Sequence, residues 1–196
     1  MRQLVGGWAW PLLWCAVALF QAPGTVAAVV EDLVAIGTHL DVTTDPKGGV
    51  RAHAVLDLPA PLAAVQALFT DYEKWPELFD VSMRVARVER MPDRTITEVF
   101  ISHPILPGES RLLGENRVLP DGGLTTTMIG GDFKRYARTW KLSSNGSPAH
   151  TRAEFDLLVD PKTMAPDWLV AVEVKRELEA HFKLVRAKLA KRDKTR

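Results

Sequence analysis

From Val34 the chain alternates apolar and polar residues, with Val34, Ile36, Leu40 and Val42 on one side and Gly37, His39, Asp41 and Thr43 on the other. That two-residue period is the mark of a half-buried strand. Asp45-Pro46-Lys47-Gly48-Gly49 interrupts it with turn chemistry, and the alternation resumes through Val50, Ala52, Ala54, Leu56 and Leu58, so a hairpin is expected. Pro59 and Pro61 close it. Residues 62–70 switch to helical spacing, with Leu62, Val65, Leu68 and Phe69 on one side, and a second helical turn is expected across 71–79. Strands are then expected near 81–90, 95–103, 109–119, 123–130, 133–143 and 150–159, separated by hairpin-length breaks such as Pro107-Gly108 and Asn145-Gly146-Ser147-Pro148. No βαβ crossover is visible. From Asp167 to about Arg192 there is neither Gly nor Pro, and Ala171, Val174, Leu178, Phe182, Val185 and Leu189 recur at three and four residues. These predict one long amphipathic helix behind Pro166.

The order is hairpin, two short helices, antiparallel meander, long helix. This is an α+β arrangement in which a sheet curled around a helix buries one face of each element. Three segments carry a further resemblance: Phe69-Thr70-Asp71-Tyr72-Glu73-Lys74-Trp75, Gly131-Asp132-Phe133-Lys134-Arg135-Tyr136 leading into Thr139-Trp140-Lys141-Leu142, and Val159-Asp160-Pro161 before the last helix. In that order, across roughly residues 50–190, they resemble the START-like helix-grip (SRPBCC) superfamily, and within it the bacterial polyketide cyclase/dehydrase and coenzyme-Q-binding group. The resemblance implies a helix-grip fold, a curved antiparallel sheet wrapped around the C-terminal helix. It also implies a deep apolar cavity beneath that helix, holding lipids, isoprenoid quinones, sterol-like molecules or polyketides.

The N-terminus changes what counts as the domain. Arg2 precedes an uncharged run from Leu4 to Phe20, followed by Thr25-Val26-Ala27-Ala28, the layout of a secretory signal peptide cut after Ala28. The run is short for a membrane span, which takes about 20 apolar residues. Residues 29–196 are then one exported domain, periplasmic or secreted. The only cysteine, Cys15, leaves with the signal, which excludes disulfides, cysteine nucleophiles and thiolate-bound metals from the mature chain. A formal net charge of +1 gives no global case for nucleic acid.

Trp75, Phe79, Phe100, Tyr136, Trp140, Phe155 and Trp168 are the large side chains expected around the cavity. Trp168, Leu169 and Val172 are expected to form its mouth, the segment 161–172 lying opposite 72–80. Single aromatics more often fill an ordinary core, so a dry-core domain serving a protein partner is the bland alternative. A continuous void of roughly 300 to 1,000 Å³ would separate the two readings.

Hydrolase and nucleotide motifs are absent: the chain has no His-Glu-x-x-His, Gly-x-Ser-x-Gly or phosphate loop. A cyclase or dehydratase would need an acid or base in the cavity. Glu98, Arg111, Glu115, Arg135, Tyr136 and Arg138 are available, but a one-residue change of strand phase turns each to the other face. His39, Asp41 and His53 share the polar face of the first hairpin, for which a solvated strand is the ordinary explanation. Neither metal nor cofactor is expected. Residues 183–196 carry seven basic side chains against Asp193, suited to complementing the helix dipole or to transient contact with anionic lipid. The functional expectation is an exported carrier of an apolar small molecule or lipid, with a cyclase-type enzyme as the alternative.

Overall fold

A computed structural model describes residues 38–106, 108–120, 122–144 and 146–193. The signal segment 1–28, and positions 34–37 of the first expected strand, lie outside the described residues. Eight strands follow: β1 (His39–Thr44), β2 (Val50–Leu58), β3 (Ser82–Arg90), β4 (Thr95–Ser102), β5 (Glu109–Val118), β6 (Leu124–Gly131), β7 (Phe133–Ser144) and β8 (Thr151–Pro161). Helix α1 (Leu62–Phe69) and a 3-10 segment (Tyr72–Leu78) stand between β2 and β3, and α2 (Asp167–Asp193) ends the chain. Pro76 inside the 3-10 segment removes an amide donor, which keeps the second helical turn from extending.

The strands form one antiparallel sheet in the order β1-β2-β8-β7-β6-β5-β4-β3. Every strand-to-strand connection is a hairpin except one. The α1 and 3-10 segments carry the chain from β2 to the far edge at β3, and the β7–β8 hairpin then brings β8 in beside β2. The curved sheet and the helix it grips are the expected helix-grip fold.

The two-residue period explains which face is buried. Val50, Ala52, Ala54, Leu56 and Leu58 of β2 are all buried, while Arg51 and His53 between them are exposed. On α2 the positions facing the sheet are Val170, Leu178, Phe182, Val185 and Leu189, at the three- and four-residue spacing that puts them on one stripe. They meet an aromatic cluster. Trp140 lies 4.6 Å from Phe69, 4.5 Å from Phe155 and 5.9 Å from Phe182, centroid to centroid.

Three bulges break the alternation, at Val85/Arg87, Leu113/Gly114 and Phe133/Arg135. The last lets Phe133 and Tyr136 both face the helix although they differ in parity, because an extra residue turns the strand. Gly131 makes the sharp passage into β7. Its φ is 127°, and a β-carbon there would stand 2.3 Å from the Arg111 carbonyl oxygen.

The β1–β2 turn is tied to the end of β8 by charge. The buried Asp45 carboxylate takes the Lys47 amide at 2.9 Å, an Arg51 guanidinium, and Arg135 at 3.2 Å. Chiefly through the Lys47 amide, and then through the two arginines, its pKa is lowered to about 2. Arg135 also reaches Asp160 at 3.3 Å, so one side chain from β7 joins the turn to β8.

Candidate functional site

Between α2 and the concave face of the sheet lies a cavity of about 170 Å³ that opens toward solvent. The sheet contributes Val99 and Ile101 from β4, Leu112 from β5, Tyr136 from β7, and Phe155 and Leu157 from β8. Val170, Val174 and Leu178 of α2 form the roof, and Trp75 and Phe79 close one side. The space is smaller than the 300 to 1,000 Å³ typical of sites that engulf a drug-sized ligand. It matches in size an engineered apolar cavity, of about 150 Å³, that stays dry and takes up benzene.

Four of the nine expected residues form this wall: Trp75, Phe79, Tyr136 and Phe155. Trp75 is fixed by donating its indole N–H to the Phe69 carbonyl at 3.0 Å. Phe79 stacks on the His181 ring at 4.3 Å, and Tyr136 meets Phe133 edge-on. Trp140 sits one layer behind, wedged between Phe69 and Phe155.

Phe100 stands on the opposite face of β4, under the Arg84 guanidinium at 4.1 Å, because the inward phase of that strand belongs to Val99 and Ile101. Trp168 and Val172 point away, 64% and 55% exposed, and Leu169 is outside the wall as well. Two positions along a helix turn a side chain by about 200°, so with Val170 facing inward both of these must face outward. The two segments expected to flank the mouth both reach the wall, through Trp75 and Phe79 and through Pro161 and Val170, but they have different neighbours. The segment before α2 holds the β4–β5 turn, with Thr163 Oγ1 donating to the Ile105 carbonyl at 2.5 Å, whereas the 3-10 segment seats against the middle of α2.

Of the six candidate acid–base groups, only Tyr136 and Arg138 line the cavity. Glu98 and Arg111 pair with each other at 2.5 Å, Glu115 pairs with Arg117 at 2.8 Å, and Arg135 belongs to the Asp45–Asp160 group. Arg138 donates to Thr126 Oγ1 at 3.0 Å and lies 4.6 Å over the Trp75 ring. Behind it Asn116 joins Thr97 at 3.0 Å and Thr126 at 2.8 Å in a buried polar network. On the outer face Asp41 lies opposite His53 across β1–β2, but the His53 ring pairs with Asp156 at 2.9 Å.

Four ionisable side chains of the wall escaped the sequence reading: His103, Glu173, Glu177 and His181. The three on α2 share the stripe of Val170, Val174 and Leu178, a placement their spacing encodes. His181 is buried, and its Nδ1–H donates to the Leu78 carbonyl at 2.7 Å. Burial, with a smaller contribution from nearby Arg138, outweighs that hydrogen bond and lowers its pKa to about 4. The ring is therefore a neutral wall element at pH 7.

A long helix gripped by a curved antiparallel sheet, over an apolar cavity, defines a START-like domain. Residues 58–182 match the model of the polyketide cyclase/dehydrase and lipid transport family. The chain belongs to that family. Its fold is shared with a STAR-related lipid transfer protein from Xanthomonas axonopodis, at a TM-score of 0.61 and 14% identity over 79% of this chain and 94% of that one. It is shared too with the Zhui aromatase/cyclase from Streptomyces sp. R1128, at 0.58 and 9% over 79% and 96%. A START superfamily protein from Mycobacterium smegmatis matches at 0.55 and 14% over 78% and 98%. The chain matches no curated protein.

Proposed function

We propose that the protein is an exported carrier that binds an apolar small molecule or lipid under α2 without altering it. The observation that carries this reading is the cavity, whose wall is apolar over most of its extent while the polar network of Asn116, Thr97 and Thr126 is satisfied internally. Isoprenoid quinones, sterol-like molecules and acyl chains are the ligand classes it suits. At about 170 Å³ the space holds a slender chain or a single ring, and a bulkier ligand requires α2 and the β4–β5 turn to separate.

The direct test is native mass spectrometry of the purified protein with extraction of co-purifying lipid, together with thermal shift. An apolar ligand at a hundred times its Kd adds about 2.7 kcal/mol to stability. Leu112→Trp, which fills the cavity from β5, should remove that shift. A wild type whose melting temperature no lipid, quinone or sterol raises would overturn the reading in favour of a dry core.

The cyclase-type alternative draws on the inward placement of Tyr136 and Arg138 and on the fold shared with the aromatase/cyclase. Turnover of a polyketide substrate lost in Tyr136→Phe would establish it. Export belongs to the proposal, and an N-terminus at Val29 in the native protein would support it. Contact with anionic lipid through the end of α2 is also part of it, to be read from co-sedimentation with phosphatidylglycerol vesicles. Basic side chains there are already engaged within the fold, among them Arg186 with the Asp57 carbonyl and Lys188 with Glu77.

A further inference from the structure

The apolar wall is interrupted at one end by three ionisable side chains. His103 follows β4, and Glu173 and Glu177 stand one turn apart on α2, with one nitrogen or oxygen of each within 4.8 Å of the others. The His103 side chain is only 8% exposed, and its Nε2 is buried without a hydrogen-bond partner. It points between the carboxylates, 3.6 Å from Glu173 Oε2 and 3.5 Å from Glu177 Oε1, beyond hydrogen-bonding reach. Buried polar atoms in folded proteins are nearly always paired. A ligand group between these three side chains would supply the missing partner.

The ring's other nitrogen indicates the chemistry of that group. The Ile105 amide donates to His103 Nδ1 at 3.3 Å. A ring nitrogen that accepts carries no proton, so the neutral imidazole holds its proton on Nε2. A metal ion would need the reverse, a free lone pair on Nε2 and an N–H at Nδ1 facing an acceptor. The cluster thus offers one N–H donor and two carboxylate acceptors. From the solvent side the Arg176 guanidinium holds Glu173 Oε2 and Glu177 Oε1, each at 2.9 Å. Two carboxylates against one guanidinium leave one net negative charge.

We propose that His103, Glu173 and Glu177 form a subsite for the hydroxyl end of an otherwise apolar ligand, an inference that rests on the cavity being a ligand site. A hydroxyl accepts from Nε2–H and donates its own proton to a glutamate, matching both functions at once. A carboxylate head can only accept, and it brings like charge to the glutamates. An ammonium answers the negative charge but leaves the Nε2–H without an acceptor, and a hydrocarbon offers neither function.

Displacement of an apolar naphthylamine dye from the purified protein at pH 7 tests the subsite. Decanol should displace the dye at a concentration about tenfold lower than decanoate or decane, the selectivity of roughly one good hydrogen bond. Glu173→Gln combined with Glu177→Gln should bring decanoate up to decanol, since the like charge is then gone. The wild-type ranking stands as a test even if that variant does not fold. Decanoate or decane displacing the dye as well as decanol would overturn the subsite while leaving the cavity reading intact. So would calorimetric binding of Zn²⁺ alone that disappears in His103→Phe. Failure of the dye and of every decyl compound to bind would overturn the cavity reading itself.

Discussion

Acidification should destabilise this fold through His181 before the carboxylates titrate. Its neutral ring is buried, and its pKa falls from 6.5 to about 4 on folding. Between those values the unfolded chain binds a proton that the folded chain refuses, so stability is full above about pH 6.5 and drops as the pH falls toward 4. Each pH unit in that window is worth about 1.4 kcal/mol. The loss attributable to this one ring is therefore about 1.4 kcal/mol at pH 5.5 and about 3 kcal/mol on reaching pH 4, a large part of the stability of a domain that has about 5 to 15 kcal/mol in all. His181→Asn keeps an N–H near the Leu78 carbonyl and removes the titration. Urea unfolding of both proteins at pH 7, 5.5 and 4.5 isolates the effect, because every other titrating group is common to the two. The variant should be the less stable at pH 7, where it lacks the stack on Phe79, and the difference should shrink or reverse as the pH falls. A stability difference that stays constant across the three pH values would refute the reasoning.

Other expectations are as direct. Trp140→Ala removes the ring that joins Phe69, Phe155 and Phe182 and should cost about 3 to 5 kcal/mol by denaturant titration. Gly131→Ala sets a β-carbon against the Arg111 carbonyl in a backbone conformation that side chains rarely adopt, and should cost about 1 to 3 kcal/mol in the same assay. Asp45 has its pKa lowered to about 2 from 3.8, so its contribution is present above about pH 4 and is lost as the pH falls to 2. Asp45→Asn should flatten the wild-type stability profile in that interval, measured by circular dichroism on acid titration.

The elements were legible because each satisfies one period. β2 and α2 bury the residues that their spacing puts on one side. Phase was the weak link: nothing in the alternation of β4 says whether Val99 or Phe100 faces the helix, and size favoured the wrong one. The bulge at Phe133/Arg135 leaves no mark in the apolar pattern, yet it decides that Tyr136 faces inward and Arg135 does not. On α2 the aromatic side chain drew attention to Trp168, whereas the stripe runs through Val170 and Val174. The charge of Glu173 and Glu177 disguised two positions lying on that same stripe. Charged residues are solvent-facing by default, and only the partner His103, 70 positions before Glu173 in the chain, shows why these are not.

The strand order has a consequence for how the molecule comes to be folded. β2 is complete by Leu58, but its neighbour in the sheet is β8, so Val50 waits for Val159 and Leu58 for Thr151. The helix that covers the concave face comes later still. Chains dominated by such distant pairings fold slowly, because a long loop must close before any contact stabilises it. During synthesis the first hairpin therefore emerges with one edge unpaired and one apolar face bare, and it stays so until nearly the whole chain has been made. A polypeptide of this kind spends its early life without a stable structure, open to a holdase or to threading through a pore, and closes only when its last strand and helix arrive.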